Sequence, residues 1–137
     1  MRSLVLLMGL LASGCSRPSY SVAAVASPCG LGNADCVALD CELSNTGGKA
    51  MTLAVYGQIW VADDSHFLPT RERNTLEPGE SWTAHFQLKP SSVTVGSTSS
   101  ARMHKPDCST ADYAACLQLD GQAIVAECFA IVPVDPS

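Results

Sequence analysis

The sequence predicts an all-β fold, an antiparallel sandwich stapled by disulfides. Three observations carry this. Apolar residues recur at every second position in several runs. Clusters of turn-forming residues separate those runs. Seven cysteines fall within only 137 residues, a density expected of exported, cross-linked domains. The length fits one domain and leaves no room for two of ordinary size.

The chain begins MRSLVLLMGLLASGC. Arg2 forms a minimal basic start, and Leu4 to Leu11 is an apolar stretch of secretory length. It is too short to span a bilayer, which needs about 20 apolar residues. Leu11-Ala12-Ser13-Gly14-Cys15 resembles a bacterial lipoprotein lipobox. The resemblance implies a signal peptide over 1–14, cleavage before Cys15 and lipidation of Cys15. In a diderm bacterium, Ser16 after that cysteine implies outer-membrane sorting. The expected location is the cell envelope, held by the lipid anchor. Loss of 1–14 removes Arg2 and takes the formal net charge from −5 to −6. An acidic chain argues against a nucleic-acid groove built on basic residues.

Residues 15–28 are small, polar and proline-bounded, and read as the linker from the anchor to a folded domain over 29–135. A short first strand around Ser21 to Val25 is the alternative. Cys36 to Leu43 alternates: Val37, Leu39, Cys41 and Leu43 share one face, and Ala38, Asp40 and Glu42 the other. That pattern predicts a half-buried strand. Asn45-Thr46-Gly47-Gly48 reads as a turn. Ala50 to Val61 predicts a longer, central strand, with Met51, Leu53, Val55, Gly57, Ile59 and Val61 on one face. Thr52, Ala54, Tyr56, Gln58 and Trp60 form the other face. Asp63-Asp64-Ser65 interrupts the run, and Arg71-Glu72-Arg73 reads as a charged loop.

Glu77-Pro78-Gly79-Glu80 predicts a type II turn, because proline presets its second position and glycine supplies positive φ at its third. Trp82, Ala84, Phe86 and Leu88 then alternate with Thr83, His85 and Gln87. Ser91 to Ser100 suits an edge strand or a loop. Residues 109–117 read either as a short capped helix from Ser109 or as the first arm of a hairpin turning at Asp120-Gly121. Both readings stand at this stage. In the hairpin register Cys116 faces Val125, and Cys128 points to the opposite side. The last predicted strand runs from Ala123 to Val132.

With Cys15 lipidated, Cys29, Cys36, Cys41, Cys108, Cys116 and Cys128 remain, an even set that reads as three disulfides. Sequence alone does not choose their pairing. The short segments between Cys29 and Cys36, and between Cys108 and Cys116, invite local closure. Cys41 and Cys128 would then close a loop of about 90 residues, with a stabilisation of about 4–5 kcal/mol. Metal binding is the rival use, but the C-x-x-C pair that zinc sites favour is absent.

The order of strand, Asn45-Thr46-Gly47, long strand, acidic turn, Leu76-Glu77-Pro78-Gly79-Glu80-Ser81 and alternating strand resembles immunoglobulin-like bacterial envelope modules of the FxLYD and CARDB types. The likeness covers Val37 to Leu88 and implies an immunoglobulin-like sandwich. It carries little about function, since such sandwiches host many roles.

Catalytic motifs are scarce. Asp63, Asp64, Ser65 and His66 bring triad residue types together, without a G-x-S-x-G elbow. The spaced calcium loop of an EF-hand is absent. Met103-His104 near Cys108 is a thin copper signal, and His85 reads as a solvated strand residue. No cofactor motif stands out. Tyr56 and Trp60 share one face, which is core if covered and an aromatic binding patch if exposed; His66 follows in a nearby loop. These three are the candidate binding residues. The expectation is a non-enzymatic, membrane-tethered module that binds a protein or glycan partner. The alternative is a small disulfide-rich inhibitor or assembly accessory that acts on a partner enzyme or secretion machine through one cysteine-bounded loop.

Overall fold

Period-two burial organises the chain into two antiparallel sheets that face one another. The computed structural model describes residues 19–29, 35–62, 65–66, 70–92, 94–95 and 104–132. Among them the strands are β1 (Tyr20–Pro28), β2 (Val37–Asn45), β3 (Met51–Val61), β4 (Ser65–His66), β5 (Thr70–Leu76), β6 (Ser81–Leu88), β7 (Thr94–Val95), β8 (Ala114–Leu119) and β9 (Gln122–Ile131). One 3-10 turn spans Pro90–Ser92. Sheet order is β1-β2-β6 in one layer and β7-β4-β3-β9-β8 in the other. β5 pairs with β3 below β4, along the same side.

The core lies between the sheets. β2 contributes Val37, Leu39, Cys41 and Leu43, all fully buried. β6 answers with Ala84, Phe86 and Leu88, and the facing layer with Leu53, Val55, Ile59, Ile124, Ala126 and Cys128. These are the inward residues that the alternation predicts on β2, β3 and β6. Gly57 sits on the inward face of β3 because the Phe86 ring occupies the space of its missing side chain. A Cβ there would fall 2.7 Å from a ring carbon.

The linker expectation over 15–28 fails from Tyr20 onward, where β1 pairs along the whole length of β2. Tyr20, Val22, Ala24 and Ala26 pack on the core. Alanine carries too little apolar surface to make this alternation visible in the sequence. The leader, Cys15 and residues 16–18 lie outside the described residues. So do Asp63, Asp64, Met103 and the end of the chain after Val132.

The helix reading of 109–117 also fails. Ala114–Leu119 pairs with β9, with Cys116 opposite Val125 and Leu119 opposite Gln122. Asp120 and Gly121 have φ of 53° and 80°, the two positive values that a type I′ hairpin turn requires. The helix-like cap is spent on a turn instead. Asp107 accepts from the Ser109 N–H at 3.0 Å and from the Ser109 hydroxyl at 2.7 Å. Arg71-Glu72-Arg73 lies in an edge strand, β5, and not in a loop. Both faces of β5 are solvated, so no hydrophobic period marks it.

Cys41 and Cys128 join the two sheets through the core, with Cα atoms 5.7 Å apart and exposures of 0% and 1%. Cys29–Cys36 closes the β1–β2 connection, and Cys108–Cys116 ties the segment before β8 to β8 itself. All six described cysteines are therefore paired.

The two turn signatures meet in space. Asn45 is 1% exposed. Its amide donates to the carbonyls of Lys49 (2.8 Å) and Leu76 (2.9 Å), and its side-chain oxygen accepts from Gly47 N–H (2.9 Å). The type II turn at 77–80 closes with Glu80 N–H on the Glu77 carbonyl at 2.9 Å, and Gly79 has the required φ of 81°. One buried amide thus holds two of the connections between the layers, β2 to β3 and β5 to β6, a use that satisfies its polar atoms inside the protein.

Candidate functional site

The chemistry-bearing side chains gather on the outer face of the six-stranded sheet. Even-numbered residues of β3 point there, because odd ones fill the core. The register sets them in rows across the sheet. Trp60 stands opposite Val125, which stands opposite Cys116. Gln58, Glu127 and Ala114 form the next row. Arg71, Tyr56 and Phe129 form the row below, and Arg73, Ala54 and Ile131 the last.

The upper rows are covered. The segment 104–113 crosses them, and Cys108, Ala111 and Tyr113 pack against Trp60, Ala114 and Val125. Three ties hold the cover. The Cys108–Cys116 disulfide is one. Ala24 N–H of β1 donates to the Asp112 carbonyl at 2.8 Å, and Cys128 N–H of β9 donates to the Tyr113 carbonyl at 2.7 Å. The cover also shuts the β1–β8 side of the sandwich.

Beneath it lies a buried carboxyl group. Glu127 is 0% exposed and Gln58 is 1% exposed. The Trp60 indole N–H donates to Glu127 Oε1 at 2.7 Å, and the Gln58 amide donates to the same oxygen at 3.1 Å. A buried carboxyl with its donors removed is costly, so this trio fixes the indole and amide in place. Trp60 is 3% exposed. Its indole is therefore occupied with structure and offers no surface to a ligand, although it lies on the face away from the second sheet.

Tyr56 is half-buried, and its ring meets Phe129 with centroids 5.8 Å apart. His66 takes the β4 position paired with Trp60. The structure thus brings the backbone positions of the three sequence candidates onto one sheet; Tyr56 keeps a partly open side chain there and Trp60 does not. His85 lies on the other sheet, where its Nδ1 is 2.7 Å from Asp40 Oδ1 at an exposed cross-strand position. Exposed pairs of this kind contribute little stability.

A cleft of about 400 Å³ opens beside the Cys108–Cys116 staple, between Pro106, Leu117, Ile124 and Val125. Its walls are mainly apolar. Among the described residues, no group of three or more His, Cys, Asp or Glu side chains is placed to hold a metal ion. No described helix is long and apolar enough to cross a membrane.

Glu127 escaped the sequence reading. The available signal was a lone acid within an apolar strand, at a position that alternation assigns to the outer face. The charged run of Arg71 and Arg73 was read as a loop, and its place on an edge strand was missed because nothing periodic marks β5. Both arginines are exposed and make no ion pair among the described residues. No protein-family model, curated protein or solved structure matches the chain.

Proposed function

We propose that this protein is a non-enzymatic binding module of the bacterial cell envelope, anchored by lipid on Cys15. One observation carries the reading: six of the seven cysteines pair in three disulfides, which leaves Cys15 as the odd one, directly after an apolar leader. Three disulfides suit an oxidising compartment. An unpaired cysteine at the end of a lipobox-like segment suits acylation. Each buried CH₂ of an acyl chain contributes about 0.8 kcal/mol, and two or more chains anchor stably. Tethering raises the effective concentration of the module near its partner, a protein or a glycan of the envelope.

The spread of the polar groups supports binding over catalysis. The most buried acid among the described residues, Glu127, is engaged by Trp60 and Gln58, and His85 lies on the opposite sheet from His66. The inhibitor reading draws on the short stretch of sequence that the Cys29–Cys36 disulfide closes. Alanine scanning separates the two readings, since one loop dominates in an inhibitor and a broad face in an adaptor.

The direct test is intact mass and peptide mapping of protein extracted from membranes, with and without reduction. A diacylglyceryl adduct on Cys15 and no free thiol elsewhere is the expected result. An unmodified Cys15 would overturn the anchored reading, and free Cys36 and Cys41 would revive metal or redox chemistry.

A further inference from the structure

Among the described residues the sandwich is closed on one side and open on the other. On the β1–β8 side the covering segment bridges the sheets through Ala24 and Asp112. On the other side β5 is a free edge: it pairs only with β3 among the described residues. Thr70 through Thr75 are all exposed, and only Leu76 is buried. A free edge offers a row of backbone donors and acceptors to another extended chain.

The charges on this edge alternate by face. Arg71 and Arg73 share the outer face with Tyr56 and Ala54, their partners on β3, and Glu72 points to the inner face opposite Val55. The chain as a whole is acidic, with 13 acids against 8 bases. The edge therefore presents positive, negative, positive in sequence, with the sign separated by face.

That pattern rejects a second copy of the same strand. An antiparallel pair of identical edges is related by a twofold axis perpendicular to the sheet. Such an axis keeps outer face against outer face, so odd residues meet odd and even meet even. With Glu72 at the axis, Glu72 meets Glu72 and Arg71 meets Arg73. Like charges directly opposite are destabilising. The same pattern accepts a strand of inverse sign.

We propose that β5 is a docking edge for an extended acidic segment of another protein, added antiparallel to Thr70–Leu76. Its acidic side chains would sit opposite Arg71 and Arg73, with a basic residue between them opposite Glu72. This rests on the binding-module reading above and names the surface and the partner chemistry. The alternative use of edge charges is to guard against aggregation, and it predicts no complementary binding.

The probe is the peptide VTEKETV, with VTKEKTV as its charge-swapped control. Each is titrated into isotope-labelled full-length protein in detergent while backbone amide resonances are followed. The matched peptide is expected to shift the amides of Thr70–Leu76 and to bind about tenfold more tightly than the control. The exposed-site variant Arg71→Glu/Glu72→Arg/Arg73→Glu is expected to reverse that preference. Equal affinity of the two peptides for the unaltered protein, or shifts confined to residues outside β5, would overturn the proposal and leave the edge as a guard. An unlipidated Cys15 would remove the anchored reading without touching this titration.

Discussion

Ile59 and Trp60 are neighbours on β3, and both are buried, yet by different means. Ile59 faces the second sheet and joins a core made of alternating residues from both layers. Trp60 faces away from that sheet and is buried by a segment more than forty positions later in the chain, pinned by Cys108–Cys116. The inner face is apolar and built by area. The outer face under the cover is half polar and built by hydrogen bonds to Glu127. The comparison teaches that position on a strand decides which way a side chain points, whereas distant chain decides whether water reaches it.

The strongest way to break the inner face is its own cross-link. Cys41→Ala with Cys128→Ala removes a bond that spans 87 residues of sequence, and the chain-entropy model assigns it about 4–5 kcal/mol. A large drop in melting temperature by calorimetry is expected, with no matching loss when the Cys29–Cys36 pair is replaced. Equal losses from the two pairs would count against a sheet-to-sheet role for Cys41–Cys128.

On the outer face, Glu127→Ala leaves the Trp60 indole and the Gln58 amide without their shared acceptor. The expected cost is about 2–4 kcal/mol, one desolvation penalty for each stranded donor. Denaturant unfolding measures it, and a change below about 0.5 kcal/mol would show that water replaces the carboxylate freely.

Cys108→Ala with Cys116→Ala sharpens the contrast between the faces. The closed loop spans only 8 residues, so about 2–3 kcal/mol is expected. The effect should be local. Trp60 emission should shift to the red and become more accessible to a soluble quencher, while hydrogen exchange on β2 stays slow. Unchanged Trp60 quenching would mean that the backbone ties through Ala24 and Cys128 hold the cover unaided.

The smallest effect concerns acid. Two hydrogen bonds from Ser109, the hydroxyl first and the backbone N–H second, hold the Asp107 carboxyl below the usual aspartate range. A carboxyl depressed in the folded state contributes stability that is complete above its unfolded value. That contribution is lost as pH falls through the folded one. Below about pH 4 the turn that begins the cover should loosen, read as faster exchange at Ser109 and Thr110. Asp107→Asn should flatten this dependence. Asp35, held low by the hydroxyl and N–H of Ser91, contributes in the same sense.

Much of the inner face was legible. Val37 to Leu43 and Trp82 to Leu88 alternate with large side chains, and such residues report burial on their own. The turn at Glu77–Glu80 was legible because proline and glycine restrict φ locally. The hairpin and the helix competed at 109–117 because the capping pattern that starts at Ser109 serves a turn as well as a helix. β1 was obscured by alanine, and β5 by its exposure on both faces. The fate of Trp60 was beyond reach of any local pattern, since its cover is remote in the chain.

By itself the sequence determined the strand period, the turn chemistry, the direction of the side chains on β2, β3 and β6 and an even set of cysteines after Cys15. These follow from local geometry, which is set by a residue and its near neighbours. Tertiary structure alone decided that Glu127 is buried with Trp60, that Asn45 ties two connections together and that β5 is a free edge while β1 is not. Those outcomes depend on which distant segments meet, and loop closure and packing settle that only when the whole chain has folded.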